Sequence, residues 1–230
     1  KHESLVNIEL GKGFNYNKGS FNTNLYLMEY NNQLITTGEV NDVGAYIREN
    51  VKKSRRFGVE FINVLNSKDF YVNSSLSLSR NLVYNFNETL YDYGADFSQY
   101  NIIENKYGVT DLAFSPGVLL NNHFEWKANK FLSFILNSKY VGKQYLDNTS
   151  NEKRVLKDFL INDFKIQTNL TNNVLNNLFF KIEINNIFNV KYSSNGYTFG
   201  YYGGMDYEVR ENYFYPQATR NIMFSVSIEI

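Results

Sequence analysis

F-F-K-I-E-I-N-N-I-F-N (179–189) and N-I-M-F-S-V-S-I-E-I (221–230) decide the fold class of this chain. In the last ten residues Ile222, Phe224, Val226, Ile228 and Ile230 share one face, and Asn221, Met223, Ser225, Ser227 and Glu229 share the other. A strict period of two over about ten residues has the length and pattern of a β-strand that crosses a membrane at a tilt. The earlier segment repeats it, with Phe180, Ile182 and Ile184 opposite Lys181, Glu183 and Asn185. A charged second face on so regular a strand fits a wet lumen better than a dry sandwich core.

Working outward, nine such strands are expected, at 4–14, 20–30, 55–65, 70–80, 117–127, 131–141, 158–170, 179–189 and 218–230. Their outward parity predicts a lipid face that includes Phe57, Val59, Phe61, Leu132, Phe134, Leu136, Phe180, Ile182, Ile184, Phe224, Val226 and Ile228. Arg56, Glu60, His123, Glu125, Asp163, Lys165, Lys181 and Glu183 fall on the inward parity. Short turns rich in Asn and Gly follow the first, third, fifth and seventh strands (15–19, 66–69, 128–130 and 171–177). Long connections follow the others, at 31–52, 82–115, 142–156 and 191–217. Alternating short and long connections are the pattern of a membrane β-barrel, whose short turns gather at one rim and long loops at the other. An odd strand count leaves such a barrel unclosed, so the chain is expected to supply about nine C-terminal strands of a larger antiparallel barrel of the roughly 22-stranded, plugged type.

Composition limits the alternatives. Lys+Arg 23 against Asp+Glu 23 gives no net charge and no polyanion-binding bias, so no nucleic-acid partner is expected. Cys 0 excludes disulfides and thiolate metal sites. No apolar run approaches the length of a membrane helix, and a mean hydropathy of −0.41 is compatible with alternating strands, in which every second residue is polar. Pro 2 leaves every expected strand interior free of proline, while Tyr 19 and Phe 19 make the chain unusually aromatic.

N-N-I-F-N-V-K-Y (185–192), Y-F-Y-P-Q-A-T-R-N (213–221) and the closing β-segment resemble the C-terminal end of TonB-dependent outer-membrane receptors. Two positions depart from that family's pattern: Ile230 stands where an aromatic is usual, and Ser225 where glycine is common. The resemblance implies an outer-membrane importer rather than an enzyme, with no catalytic residues, no cofactor and no resident metal. Its loops would capture a scarce nutrient such as a ferric siderophore, haem or a similar chelate. Its partners would be outer-membrane lipid, the remaining barrel strands, an N-terminal plug outside residues 1–230, and the TonB complex acting through that plug. A glycan importer working with a surface lipoprotein, or a passive porin or structural barrel, is the alternative; a soluble lectin-like sandwich fits less well, because its inner faces should be apolar.

Ligand contact is expected in the two aromatic-rich loops, 82–115 and 191–217, because stacking anchors with a few polar groups compose many ligand sites. The residues singled out are Tyr91 and Tyr93 in the first loop and Tyr201, Tyr202, Tyr207 and Arg210 in the second. Arg210 would suit an anionic cargo through paired N–H donors. Asp92 and Asp96 are read as ordinary solvated loop carboxylates rather than calcium ligands, and His123 as a hydrogen-bonding lumen residue.

Overall fold

The computed structural model of the chain describes residues 2–41, 43–170 and 177–229, and its elements are all β-strands. β1 (Ser4–Tyr16), β2 (Gly19–Val40), β3 (Tyr46–Asn66) and β4 (Phe70–Tyr84) form an antiparallel meander. The hairpin of β5 (Asn87–Asp92) and β6 (Asn101–Lys106) follows, and then the short β7 (Val109–Asp111), which pairs with the end of β4. The meander resumes through β8 (Val118–Lys127) and β9 (Leu132–Val141). After the two-residue strands β10 (Gln144–Tyr145) and β11 (Val155–Leu156) it continues as β12 (Phe159–Leu170) and β13 (Asn177–Asn185). A hairpin of β14 (Ser193–Tyr201) and β15 (Val209–Pro216) precedes β16 (Asn221–Glu229).

The wall of the molecule runs β1-β2-β3-β4-β8-β9-β12-β13-β16, nine strands in sequence order. Within the described residues β1 and β16 each have one neighbour, so the sheet is an open wall and not a closed barrel. Directly paired residues share a face of a sheet, so the register tests the expected parity. Trp126 pairs with Phe134, Phe134 with Ile166, Ile166 with Ile182, and Ile182 with Phe224. Leu25, Val59 and Leu78 form a second such row, and Phe164, Ile184 and Ile222 a third. The expected apolar face is therefore continuous across the wall, and it stays open, with Leu10 71% and Phe224 74% exposed. The other face is polar: Asn73, His123, Asn137 and Asp163 lie in one row, and His123 Nδ1 is 2.7 Å from Asn137 Oδ1. Glu183 there is bridged by Lys165 at 2.6 Å and Lys181 at 3.0 Å.

Three expectations are corrected. The segment 31–52, read as a connecting loop, is a continuation of β2 and β3, whose pairing runs on from Asn31↔Lys53 through Thr36↔Arg48. The alternation that marks the wall is lost there because Ile35 and Val51 pack with Val83, Phe86 and Leu112 in a core of their own, so burial no longer follows a single parity. The loops at 82–115, 142–156 and 191–217 carry strands of their own, β5 to β7, β10 with β11, and β14 with β15. The strand expected over 179–189 ends at Asn185, because Asn186 (φ 52°) and Asn189 (φ 56°) turn the chain out of the sheet. The turn expected at 171–177 lies outside the described residues except for Asn177, which begins β13. Pro116 precedes β8 and Pro216 is the last residue of β15, so neither removes an interior ladder bond.

Candidate functional site

All four long connections lie at one end of the wall and fold onto one another. Gly38 (φ 100°) bends the extended β2–β3 hairpin against 142–156; a Cβ there would lie 2.5 Å from the Leu146 carbonyl oxygen and 2.7 Å from Asp147 Cβ. Asn148, fully buried, fastens three segments together: its amide donates to the Thr36 carbonyl (2.7 Å), and its oxygen accepts the Ala113 N–H (2.9 Å). Tyr46 on the same hairpin donates to the Gly196 carbonyl at 2.7 Å, which ties in β14.

Arg154 is the centre of this assembly. Its side chain is 5% exposed, and its guanidinium reaches Glu88 (2.6 Å), Asp147 (2.8 Å) and Glu208 (3.1 Å), one carboxylate from each of three loops. Arg210 adds a 2.7 Å pair to Glu88 and a second pair to Glu208. Burial alone would raise the Glu88 carboxyl, but Arg154 and Arg210, with hydrogen bonds from Tyr107 and Asn105, hold it below the usual glutamate range. Tyr107, donating to Glu88 at 2.9 Å, is pushed up to about 12 by burial and by that carboxylate. A buried ion cluster is tolerated when its donors and acceptors are matched, and here two guanidiniums meet three carboxylates.

Beside the cluster lies a cavity of about 260 Å³, lined by residues of all four loops, among them Glu39, Glu49, Glu88, Asp147, Tyr91 and Arg210. Burial raises both Glu39 and Glu49 above their usual values. An aromatic platform adjoins it. Tyr91 stacks on Tyr100 (centroids 4.7 Å apart), Tyr93 lies 6.1 Å from Tyr201, and Phe97 lies 6.3 Å from Tyr93 and 6.1 Å from Tyr201. The backbone sets this convergence: Tyr93 N–H donates to the Tyr202 carbonyl (2.9 Å) and Tyr202 N–H to the Tyr91 carbonyl (2.8 Å). Asp92 accepts the N–H groups of Gly94 and Gly204, each at 3.0 Å, and these bonds lower its pKa. Gly204 (φ 70°) permits the approach, since a Cβ there would sit 2.4 Å from the Ala95 nitrogen.

Of the residues singled out from sequence, Tyr91, Tyr93 and Tyr201 thus meet in one platform, and Tyr202 joins it through its backbone. Tyr207 stays 63% exposed, with no ring partner among the described residues. Arg210 is 13% exposed, its guanidinium engaged by Glu88 and Glu208. Asp96 accepts hydrogen bonds from the Ser98 hydroxyl and N–H. Sequence reasoning missed Glu88, Asp147 and Arg154: Asp147 and Arg154 are only seven residues apart but form no recognisable motif, and the pairs that join the loops lie 66 residues apart for Arg154–Glu88 and 122 for Arg210–Glu88.

The arrangement defines a class first: an antiparallel meander of the barrel-wall type whose long connections form one folded unit at one end. No family model and no curated relative matches the sequence. Solved structures do. The closed form of the ferric-catecholate import receptor Fiu from E. coli K12 superposes at a TM-score of 0.66 over 98% of this chain and 27% of that one, at 16% identity. The siderophore receptor PiuA from Acinetobacter baumannii gives 0.67 over 96% and 28%, at 15% identity. The ferric yersiniabactin uptake receptor FyuA from Yersinia pestis gives 0.66 over 96% and 29%, at 15% identity. The chain therefore has the fold of part of the barrel wall of such receptors and spans little more than a quarter of their length.

Proposed function

We propose that this chain forms part of a TonB-dependent outer-membrane receptor that imports a scarce nutrient as a ferric chelate. In this reading residues 1–230 are the C-terminal strands and loops of the barrel. A plug and the earlier strands lie elsewhere in the complete protein, and TonB acts through the plug. The observation that carries the reading is the joining of an apolar-backed wall to four loops interlocked around Arg154 and topped by aromatic rings. Cargo docks first on the platform of Tyr91, Tyr93 and Tyr201, where ring faces meet the flat or apolar parts of a chelate. Tyr202 fixes the platform through its backbone, and Tyr207 reaches cargo from its exposed loop. Arg210 acts by holding Glu88 and Glu208 in place, and so shapes the acidic cavity below the rings.

The test is uptake of an iron-55 tris-catecholate complex by cells expressing the complete receptor. Wild-type uptake should stop when TonB is absent. Tyr91→Ala with Tyr201→Ala should reduce binding by about tenfold while the barrel still shows heat-modifiable migration, since two stacked rings contribute about 0.5–1.5 kcal/mol each. Uptake that persists without TonB would point to a passive pore instead.

A further inference from the structure

The apolar face of the wall changes character at the loop end of β3 and β4. Along the outward parity of β3, Val59 and Phe57 are followed by Arg55 and Lys53; along β4, Leu78 is followed by Arg80, Leu82 and Tyr84. The register lays these side by side: Leu27, Phe57 and Arg80 in one row, Glu29, Arg55 and Leu82 in the next, Asn31, Lys53 and Tyr84 beyond it. Beneath the cations a groove of about 730 Å³ runs over the apolar side chains of Leu10, Leu25, Val59 and Leu78, and Arg80 itself lines it.

The cations are only partly answered by the protein. Arg55 is paired with Glu29. The Arg80 guanidinium, with 63% of its side chain exposed, lies 3.6 Å from Asp111, beyond hydrogen-bond distance. Among the described residues Lys53 has no carboxylate partner, and its Nζ sits 5.3 Å from the centroid of the Tyr84 ring. Three cations against two acids, placed where an apolar face gives way to polar loops, match the depth at which lipid phosphates lie, and a Tyr beside them is the side chain that favours that depth.

We infer that Lys53, Arg55 and Arg80 bind the anionic phosphates of a phosphorylated glycolipid of the lipid A type, whose acyl chains occupy the groove below, on the outer side of the wall and away from the cargo platform. The inference rests on the outer-membrane placement proposed above. Guanidiniums suit the task because they give paired N–H donors to a phosphate, and the groove gives the chains a shaped apolar bed. The lipid would stiffen the root of the extended β2–β3 hairpin, which carries Gly38 and Tyr46 into the loop assembly.

The experiment is native mass spectrometry of the complete protein released from nanodiscs of phosphatidylcholine containing lipid A, a bisphosphorylated glycolipid, with phosphatidylcholine alone as the control. Heat-modifiable migration is checked first; a protein that does not insert at all overturns the outer-membrane reading itself. Each headgroup cation contributes about fivefold to retention near a phosphate, so Lys53→Gln, Arg55→Gln and Arg80→Gln together should reduce lipid A retention by at least about tenfold. Lys12→Gln, on the same face but toward the opposite end of β1, should retain lipid A like the wild type. If an inserted triple variant retains lipid A as well as the wild type, or the wild type prefers phosphatidylcholine, the site does not exist.

Discussion

Arg154 shows how much of the loop assembly rests on one side chain. Arg154→Met keeps much of the volume but leaves Glu88 and Asp147 as buried carboxylates without their main cation. Removing one partner of a buried pair costs about 3–5 kcal/mol, so the loops at 82–115, 142–156 and 191–217 should open to hydrogen exchange while the wall strands stay protected. Equal protection of the loops in both proteins would refute the central role given to Arg154. The pH dependence follows from Glu88. Its folded pKa lies below the unfolded value of about 4.3, so its contribution is complete above that value and is lost only as pH falls through the lowered one. The share of loop protection that Glu88 supplies should accordingly be complete at neutral pH and be lost in acid solution, whereas Glu39 and Glu49, raised by burial, act with the opposite sign and favour the folded loops as pH falls. On the wall, Ile182→Arg places a charge in an apolar row between Ile166 and Phe224 and should cost about 2–4 kcal/mol in a bilayer. Asn185→Arg, on the polar face, should cost much less; equal losses in a refolding titration would show the faces wrongly assigned.

At the scale of elements, the extended β2–β3 hairpin is the arm that couples wall to loops. Its pairing is interrupted between Thr36 and Val40, and Gly38 fills the irregularity with a left-handed backbone that approaches Leu146 and Asp147. Gly38→Val meets both a forbidden φ and a backbone contact, so it should release the arm by about 1–3 kcal/mol. Limited proteolysis should then cut within 36–48 in the variant and leave the wild type intact. The wall hairpins need no such device. Their registers are held by alternating faces, on which a slip of one residue would move every apolar side chain to the polar side.

At the scale of the molecule, the nine-stranded wall leaves the pairing edges of β1 and β16 without a second neighbour among the described residues. An unpaired strand edge in a bilayer costs several kcal/mol for each exposed backbone group. On the function proposed above, residues 1–230 expressed alone should give no heat-modifiable, detergent-stable barrel, and co-expression with the strands assigned there to the remainder of the barrel should restore one. A stable closed barrel of nine strands, with β1 paired to β16, would defeat that expectation. The loop unit follows the opposite logic. It has its own small core around Val83 and Phe86 and its own ion cluster, so platform substitutions such as Tyr91→Ala should leave wall assembly, read as heat-modifiable migration, unchanged.

The sequence by itself determined the wall: nine strands, their order, and which residues share the apolar or the polar face of each. That is legible because a strand's two faces alternate along the chain, and pairs such as Ile182 and Phe224 only extend a pattern each strand already carries. It also brought Tyr91, Tyr93 and Tyr201 forward, since clustered tyrosines in long loops stand out by composition. Only the tertiary structure decided that 31–52 is a strand pair, that Arg210 is engaged by two carboxylates, and that Arg154, Glu88 and Asp147 form one cluster. Those outcomes depend on charges and small cores assembled from distant loops, where no periodicity links the partners. Once several loops cover both sides of a hairpin, the alternation that made the wall readable no longer records which side is inside.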